Sequence, residues 1–206
     1  NGDDIRIGPF KLKFMCPSDP GGQTSTQLTT QQTLIDLNRE NRWLMVADIE
    51  NSTMLASSLD AKIYRNYVDE WFKKSRDLIV NQRGSINKFL GDGFLACWPG
   101  VPESRDKVAD TLQKFREMDA HLSFRFRIVL HFGEVLIGGV GTAGEESLSG
   151  PEVNFVFRME KVAGTNGMSI LLSQRAADQL GDETLIPAGE YSVPGFPGEF
   201  KFATFA

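Results

Sequence analysis

The chain has 206 residues, 41% of them hydrophobic and 24% charged, and a formal net charge of -5 at pH 7. That size and mixture suit one sizeable core, or one domain with an appendage. The acidic balance and only two histidines supply no basic face, so no nucleic-acid partner is expected, whereas a small anion arriving with a divalent cation is compatible. Cys16 and Cys97 lie far apart and make neither a disulfide framework nor a zinc spacing. Two thiols at this length fit a reducing compartment, and a cytoplasmic location is expected. No run approaches the roughly 18 apolar residues of a membrane helix and no secretory signal opens the sequence, so no membrane contact is expected of this stretch. Asn1 rather than a methionine stands first, which predicts further chain upstream.

Residues 5–15, IRIGPFKLKFM, alternate apolar and polar like an edge strand, and the following stretch is rich in Pro, Gly, Ser, Thr and Gln. Residues 1–16 therefore read as the end of an upstream module, 17–33 as a linker and 34–206 as the main domain. GDDIRIGPFKLKF resembles the closing strands of forkhead-associated domains, which implies phosphothreonine-peptide binding upstream. A disordered tail with a chance alternation accounts for the same dozen residues nearly as well.

TLIDLNRENR is predicted helical, and WLMVADI a buried strand. Residues 60–82 set Ile63, Tyr64, Tyr67, Val68, Trp71, Phe72 and Ile79 at helical spacing, a broad apolar face for packing on a sheet. Residues 84–98 read as a hairpin turning at Asp92-Gly93. Residues 104–120, with Val108, Leu112, Phe115 and Met118, form a second amphipathic helix. FRFRIVLHF puts Phe124, Phe126, Ile128, Leu130 and Phe132 on one face of a strand and Arg125, Arg127, Val129 and His131 on the other, and VLIGGVG is predicted to return as its hairpin partner across Gly133-Glu134. A helix from Pro151, strand MSILLS, helix QRAADQL and a β-rich end complete the order. Repeated hairpins argue against a purely parallel sheet; an α/β sandwich with an antiparallel-rich sheet and helices on one side fits better.

Asp48 ends the apolar run LMVA and leads into IENST, where Ser52 and Thr53 are candidate helix caps. Alone, Asp48 reads as a cap or turn residue, and Asp92 as one half of an Asp-Gly turn. Together, at the tips of strands able to lie side by side, they offer the oxygen ligands and charge that magnesium requires, with octahedral positions left for phosphate oxygens.

VADIENSTMLAS, INKFLGDGFLACWPG, FRIVLHFGEVLIGGVG and SGPEVNFVFRMEKVA resemble, in order, the four signature segments of class III nucleotidyl cyclases, the adenylate and guanylate cyclase catalytic domain. The 44-residue separation of Asp48 and Asp92 (92 minus 48) fits that family's metal pair. The resemblance spans roughly residues 40–206 and implies the class III cyclase fold, a ferredoxin-like palm core. It also implies conversion of ATP to 3′,5′-cyclic AMP and pyrophosphate, in signal transduction, with two Mg²⁺ or Mn²⁺ ions on Asp48, Asp92 and the Ile49 backbone. Ile49, Glu50, Asn51, Ser52 and Thr53 are implied to meet the phosphates, the backbone N–H groups entering a helix; the loop lacks the family's common Gly-Phe pair. Asn154 and Arg158, four apart and on one face of a predicted helix, match the residues that orient the ribose and neutralise charge on the α-phosphate.

Lys88 matches the purine-contacting position. A lysine donates to adenine N1 but cannot accept from the N1–H and N2–H of guanine, which favours ATP; a solvated lysine at a strand edge is the alternative. Ser147, seven residues before Asn154, stands where adenylate cyclases usually have aspartate. The class IIIb branch carries Thr or Ser there and includes bicarbonate-stimulated enzymes, so bicarbonate sensitivity is expected. Pro194 replaces a frequent phosphate-binding lysine, and Lys201 is a poor substitute. His131 and Glu134 read as structural. Family active sites form between two catalytic domains arranged head to tail, so a homodimer with two equivalent sites is expected, Asp48 and Asp92 facing Lys88, Ser147, Asn154 and Arg158 of the other protomer. The rivals are a guanylate cyclase, a silent nucleotide-binding regulatory module and a phosphopeptide-binding scaffold; a diguanylate cyclase is set aside because GGDEF is missing.

Overall fold

A computed structural model describes residues 4–7, 10–13, 34–35, 38–119, 122–138 and 147–205. Strands β1 (Asp4–Ile7) and β2 (Phe10–Lys13) pair antiparallel with Ile7 opposite Phe10, and β3 (Leu34–Ile35) joins β2 to complete a small three-stranded sheet. The expected single edge strand is thus a hairpin. The linker at 17–33 lies outside the described residues.

The second sheet has eight strands. After β4 (Asn38–Ile49) come helices α1 (Ser52–Ser58) and α2 (Ala61–Asn81), the hairpin β5 (Ser85–Leu90) and β6 (Gly93–Pro99), helix α3 (Pro102–Asp119) and strand β7 (Phe126–Ile137). Then follow β8 (Leu148–Ser149), α4 (Pro151–Thr165), β9 (Ile170–Ser173), α5 (Gln174–Leu180), β10 (Leu185–Ser192) and β11 (Glu199–Phe205). The spatial order is β10-β11-β9-β7-β4-β6-β5, with β8 on β7. Among the described residues only β7 and β9 run parallel. The α/β architecture with an antiparallel-rich sheet is as the sequence predicts, and among the described residues no helix is long and apolar enough to cross a membrane.

Three local expectations are corrected. The helix predicted over TLIDLNRENR is absent: β3 and the start of β4 occupy it, because β4 pairs with β7 without a break from Asn38↔Ile137 to Ile49↔Phe126, and that ladder overrides local helix propensity. The hairpin predicted across Gly133-Glu134 is equally absent. β7 continues straight through, with Gly133 opposite Arg42 and Glu134 opposite Asn41. Gly133 serves packing rather than turning, since a Cβ there would meet the Glu152 Cγ at 2.8 Å. Finally, helices cover both faces of the sheet. Trp43, Met45, Ala47 and Ile49 of β4 pack with residues of α2, α3 and α5, while Leu44 and Val46 pack with α4. Both alternating sets of LMVA are apolar, the signature of a strand buried on two sides.

The β5–β6 hairpin exists, but its turn is displaced by one residue. Leu90 pairs with Gly93, so the loop is Gly91-Asp92, with Gly91 at φ 66° supplying the left-handed step. Gly93 is a strand residue, required because a Cβ there would lie 2.6 Å from the Ala47 carbonyl oxygen and 3.1 Å from the Asp48 Cβ. Behind the turn stands Trp71, fully buried among Phe94, Phe115, Phe124 and Phe126, and its indole N–H donates to the Asp92 carbonyl at 3.1 Å. The two glycines should respond differently to substitution. Gly91→Asn is expected to cost under about 1 kcal/mol, since Asn tolerates the left-handed region, whereas Gly93→Ala is expected to cost about 1–3 kcal/mol by overpacking and Gly93→Asn more. Urea unfolding midpoints check this; equal losses at both positions would refute the close-approach account.

Candidate active site

Asp48 is the penultimate residue of β4, on the sheet face that α4 covers, directly opposite Arg127 of β7. On its other side is Gly93, whose missing side chain lets β6 lie against the Asp48 Cβ. Asp92 immediately precedes Gly93, so the hairpin tip brings the second carboxylate to the same corner. The two expected metal ligands converge.

The charges at this corner do not balance. The Arg127 Nη1 is 2.7 Å from the Glu160 Oε1 and only 3.9 Å from the Asp48 Oδ2, and its Nη2 is 3.9 Å from the Glu50 Oε1. One guanidinium thus serves three carboxylates and is committed to Glu160. The Asp48 Oδ1 is buried without a hydrogen-bond partner. Burial, followed by the charge of Glu160, pushes the Asp48 carboxyl up to about 7; Arg127 opposes the rise, while Asp92 and Glu50 add to it. An orphaned buried carboxylate oxygen in a negative field is what a divalent cation would complete. Carboxylate oxygens are donors of the kind that Mg²⁺ and Mn²⁺ take; among the described residues no three His, Cys, Asp or Glu side chains form a ready-made cage.

After Asp48 the Ile49 side chain enters the core. The Glu50 N–H donates to the Arg125 carbonyl at 2.9 Å, and the Glu50 Oε1 accepts from the Ser169 Oγ at 3.3 Å. Asn51 adopts a left-handed conformation (φ 55°, ψ 33°) and caps α1 through its backbone, without a side-chain cap bond. The expected capping by Ser52 or Thr53 is therefore replaced by this reversal, which asparagine tolerates. Ser52 and Thr53 instead line a cavity of about 580 Å³ together with Tyr64 and Arg65 of α2, Gly91 and Asp92. Glu50 and Asn51 line a separate cavity against Phe124 and Arg125.

Tyr64 and Arg65 were not among the expected site residues. Burial, then the charge of Asp92, raises the Tyr64 phenol above its usual range, which places it near that carboxylate. Arg127, read only as a strand residue, is the other omission. Its signal was available in the pattern: a charged residue between Phe126 and Ile128 in a strand buried on both faces demands partners.

Lys88 owes its direction to a bulge. Ile86 pairs with Ala96 but Lys88 with Leu95, leaving Asn87 as the extra residue, so Lys88 crosses to the α4 face and stays exposed. Ser147 is half-buried and its carbonyl accepts from the Gly138 N–H at 3.1 Å. Asn154 and Arg158 are exposed on α4, opposite the buried stripe of Val153, Val156 and Met159. Pro194 lies exposed between β10 and β11. Lys201 stands 3.6 Å from Glu190 and lines another cavity of about 220 Å³, with His131, Glu152, Phe155 and Phe200, that includes neither aspartate.

The chain is thus an α/β domain with a mixed sheet, helices on both faces and two carboxylates at the corner of β4 and the β5–β6 tip. Residues 38–205 match the family model for the adenylate and guanylate cyclase catalytic domain, and the chain belongs to that family. It is 26% identical over 173 residues to adenylate cyclase 2 of Rhizobium meliloti (strain 1021), covering 76% of this chain and 47% of that protein, so it spans about half of that relative's length. The adenylyl cyclase CyaB from P. aeruginosa shares the fold with TM-score 0.66 at 19% identity, over 83% of this chain and 96% of that one. The guanylate cyclase domain of RhGC from Catenaria anguillulae, in complex with GTP, does so with TM-score 0.70 at 20% identity, over 81% and 96%.

The raised Asp48 carboxyl has a signed consequence. Its folded value of about 7 lies above the ordinary value of about 3.9, so the stability tied to the protonated form is present at low pH and is lost as pH climbs towards 7. In metal-free buffer, Asp48→Asn should therefore melt above the native chain by a margin that widens from about pH 4 to about pH 7 and levels off above that. Mg²⁺ should close that margin by raising only the native melting temperature. A margin that stays constant with pH would mean an unperturbed Asp48.

Proposed function

We propose that this domain converts ATP to 3′,5′-cyclic AMP and pyrophosphate at sites shared between two protomers. The observation that carries the reading is the convergence of Asp48, with its buried unpartnered oxygen, and Asp92 at one corner. Asp48, Asp92 and the Ile49 backbone would hold the divalent ions, whose chemistry when bound is to acidify a hydroxyl and to draw charge from phosphate oxygens. Ser52 and Thr53 meet the triphosphate in the cavity beside Asp92. Asn154 orients the ribose, and Arg158 neutralises charge growing on the α-phosphate. The 3′-hydroxyl gives its proton to solvent water, its oxygen bonds to the α-phosphorus in line, and the bond to the bridging oxygen breaks to release pyrophosphate.

Lys88 and Ser147 are the purine readers. The bulge that swings Lys88 to the α4 face supports that role, and a lysine there favours adenine. Both expected phosphate-loop features are altered, by the missing Gly-Phe pair and by Pro194; Arg65 is the cation that lines the Asp92 cavity, and it takes the triphosphate in their place. Lys88, Asn154 and Arg158, on the α4 side of each chain, together with Ser147, would meet the partner's aspartates in a head-to-tail homodimer. In a longer chain, the β1–β2 hairpin would close an upstream phosphothreonine-binding module.

Purified protein incubated with ATP or GTP and Mg²⁺ or Mn²⁺ should yield cyclic AMP by mass spectrometry; preferential cyclic GMP would overturn the base assignment, and nucleotide binding without any product would make this a silent module. Mixing Asp48→Ala with Arg158→Ala chains should restore up to about a quarter of native activity through one intact site per heterodimer, and no recovery would refute shared sites. Arg65→Ala should raise KM for ATP about tenfold, a loss of roughly 1.4 kcal/mol, with kcat little changed.

A further inference from the structure

Along its α4 side, β7 presents Arg127 and His131, four residues apart (131 minus 127), or about 13 Å at the rise of a strand. Helix α4 presents Glu160 and Glu152, eight apart (160 minus 152), or about 12 Å at the rise of a helix. The two rulers agree, and both ends are closed: Arg127 Nη1 to Glu160 Oε1 at 2.7 Å, and His131 Nε2 to Glu152 Oε2 at 2.6 Å. α4 is lashed antiparallel to β7 at two points, and between them its outer face carries Asn154 and Arg158.

The second lashing is remote from both aspartates and is a continuous polar chain. His131 is 2% exposed. Its Nδ1 lies 2.8 Å from the Ser173 Oγ, which also accepts the Ala176 N–H at 3.2 Å, and the Glu152 Oε1 accepts from the Arg175 Nη1 at 3.0 Å. With its oxygen already accepting from Ala176, Ser173 donates its proton to Nδ1, which leaves the Nε2 proton for Glu152; that assignment gives each group a partner. The His131 hydrogen bond holds the Glu152 carboxyl below its usual range, so Glu152 is an anion. Gly133 is part of the arrangement, because a side chain there would collide with both Glu152 and His131.

The His131–Glu152 pair, a hydrogen bond from a neutral imidazole to a carboxylate, adds only modest net stability, and α4 already has an apolar stripe to hold it down. What the pair supplies is direction. An apolar stripe permits a helix to slide and roll by fractions of a turn, whereas a 2.6 Å hydrogen bond at Glu152 fixes rotation and height two residues from Asn154. We propose that Glu152 and His131 are positioning residues that set the first turn of α4 and thereby hold Asn154 in register with the ribose; this rests on the ribose-orienting role of Asn154 given above.

The test is a double-mutant cycle on the full chain with ATP and saturating Mg²⁺. Glu152→Ala should lower kcat about 10–30-fold while KM changes less than about threefold, because the lost interaction belongs to the transition state. Glu152→Gln, which keeps an acceptor oxygen towards His131, should recover most of the loss. In an Asn154→Ala background, Glu152→Ala should cost less than about twofold more, since the group it positions is already gone. Full additivity of the two losses, or an unchanged kcat in Glu152→Ala, overturns the proposal. If Glu152→Ala does not fold, His131→Gln, which keeps a donor towards Glu152, enters the same cycle, with a modest kcat loss and the same non-additivity expected. An intact kcat in Asn154→Ala alone would overturn the ribose assignment itself, and its separate readout tells that failure from a failure of positioning.

Discussion

The corner of this molecule is organised by a shortage of positive charge. Three carboxylates, on Asp48, Glu50 and Glu160, share one guanidinium, and Arg127 is close enough to satisfy only Glu160. Asp92 adds a fourth negative group from the hairpin tip. Proteins rarely leave a carboxylate oxygen buried and unpaired, because the penalty is several times the net worth of an ordinary hydrogen bond. Here the imbalance is built in, by residues on three separate elements.

Backbone devices make the imbalance possible. Gly93 removes the side chain that would hold β6 away from Asp48, Gly91 turns the chain so that Asp92 sits at the tip, and the Trp71 indole ties that tip to the aromatic core. On the far side, the bulge at Asn87 changes the face to which Lys88 belongs. None of these features is chemical in itself. Each decides where a chemical group points, and together they explain how one sheet brings Asp48 and Asp92 to one corner and turns Lys88 to the face that α4 covers.

Much of this was legible in the residues. The apolar spacing marked α2 and α3, because each packs a clear stripe on the sheet, and the paired aspartates were visible as soon as two strand tips were placed together. Errors arose where long-range pairing overrode local pattern. NRENR has the composition of a helix end, yet twelve ladder pairs with β7 keep it extended. Gly133-Glu134 looks like a turn, yet its glycine is needed for the approach of Glu152. The one-sided sheet failed because WLMVADI, though read as a buried strand, was not carried through to its consequence, a sheet covered on both faces. Arg65 and Tyr64 were missed for another reason: on a helix read for its buried face, nothing local says that its first turns border a cavity.

The involvement of Arg127 bears on how portable this chemistry is. A segment such as Asp48–Thr53 looks like a self-contained loop that could be moved onto another scaffold. Transplanted alone, it would leave behind the guanidinium from β7, the acid from α4 and the glycine from β6 that give the aspartate its environment. The competence of the motif is a property of the junction of those elements, and exchange among relatives would have to carry the sheet corner as a unit.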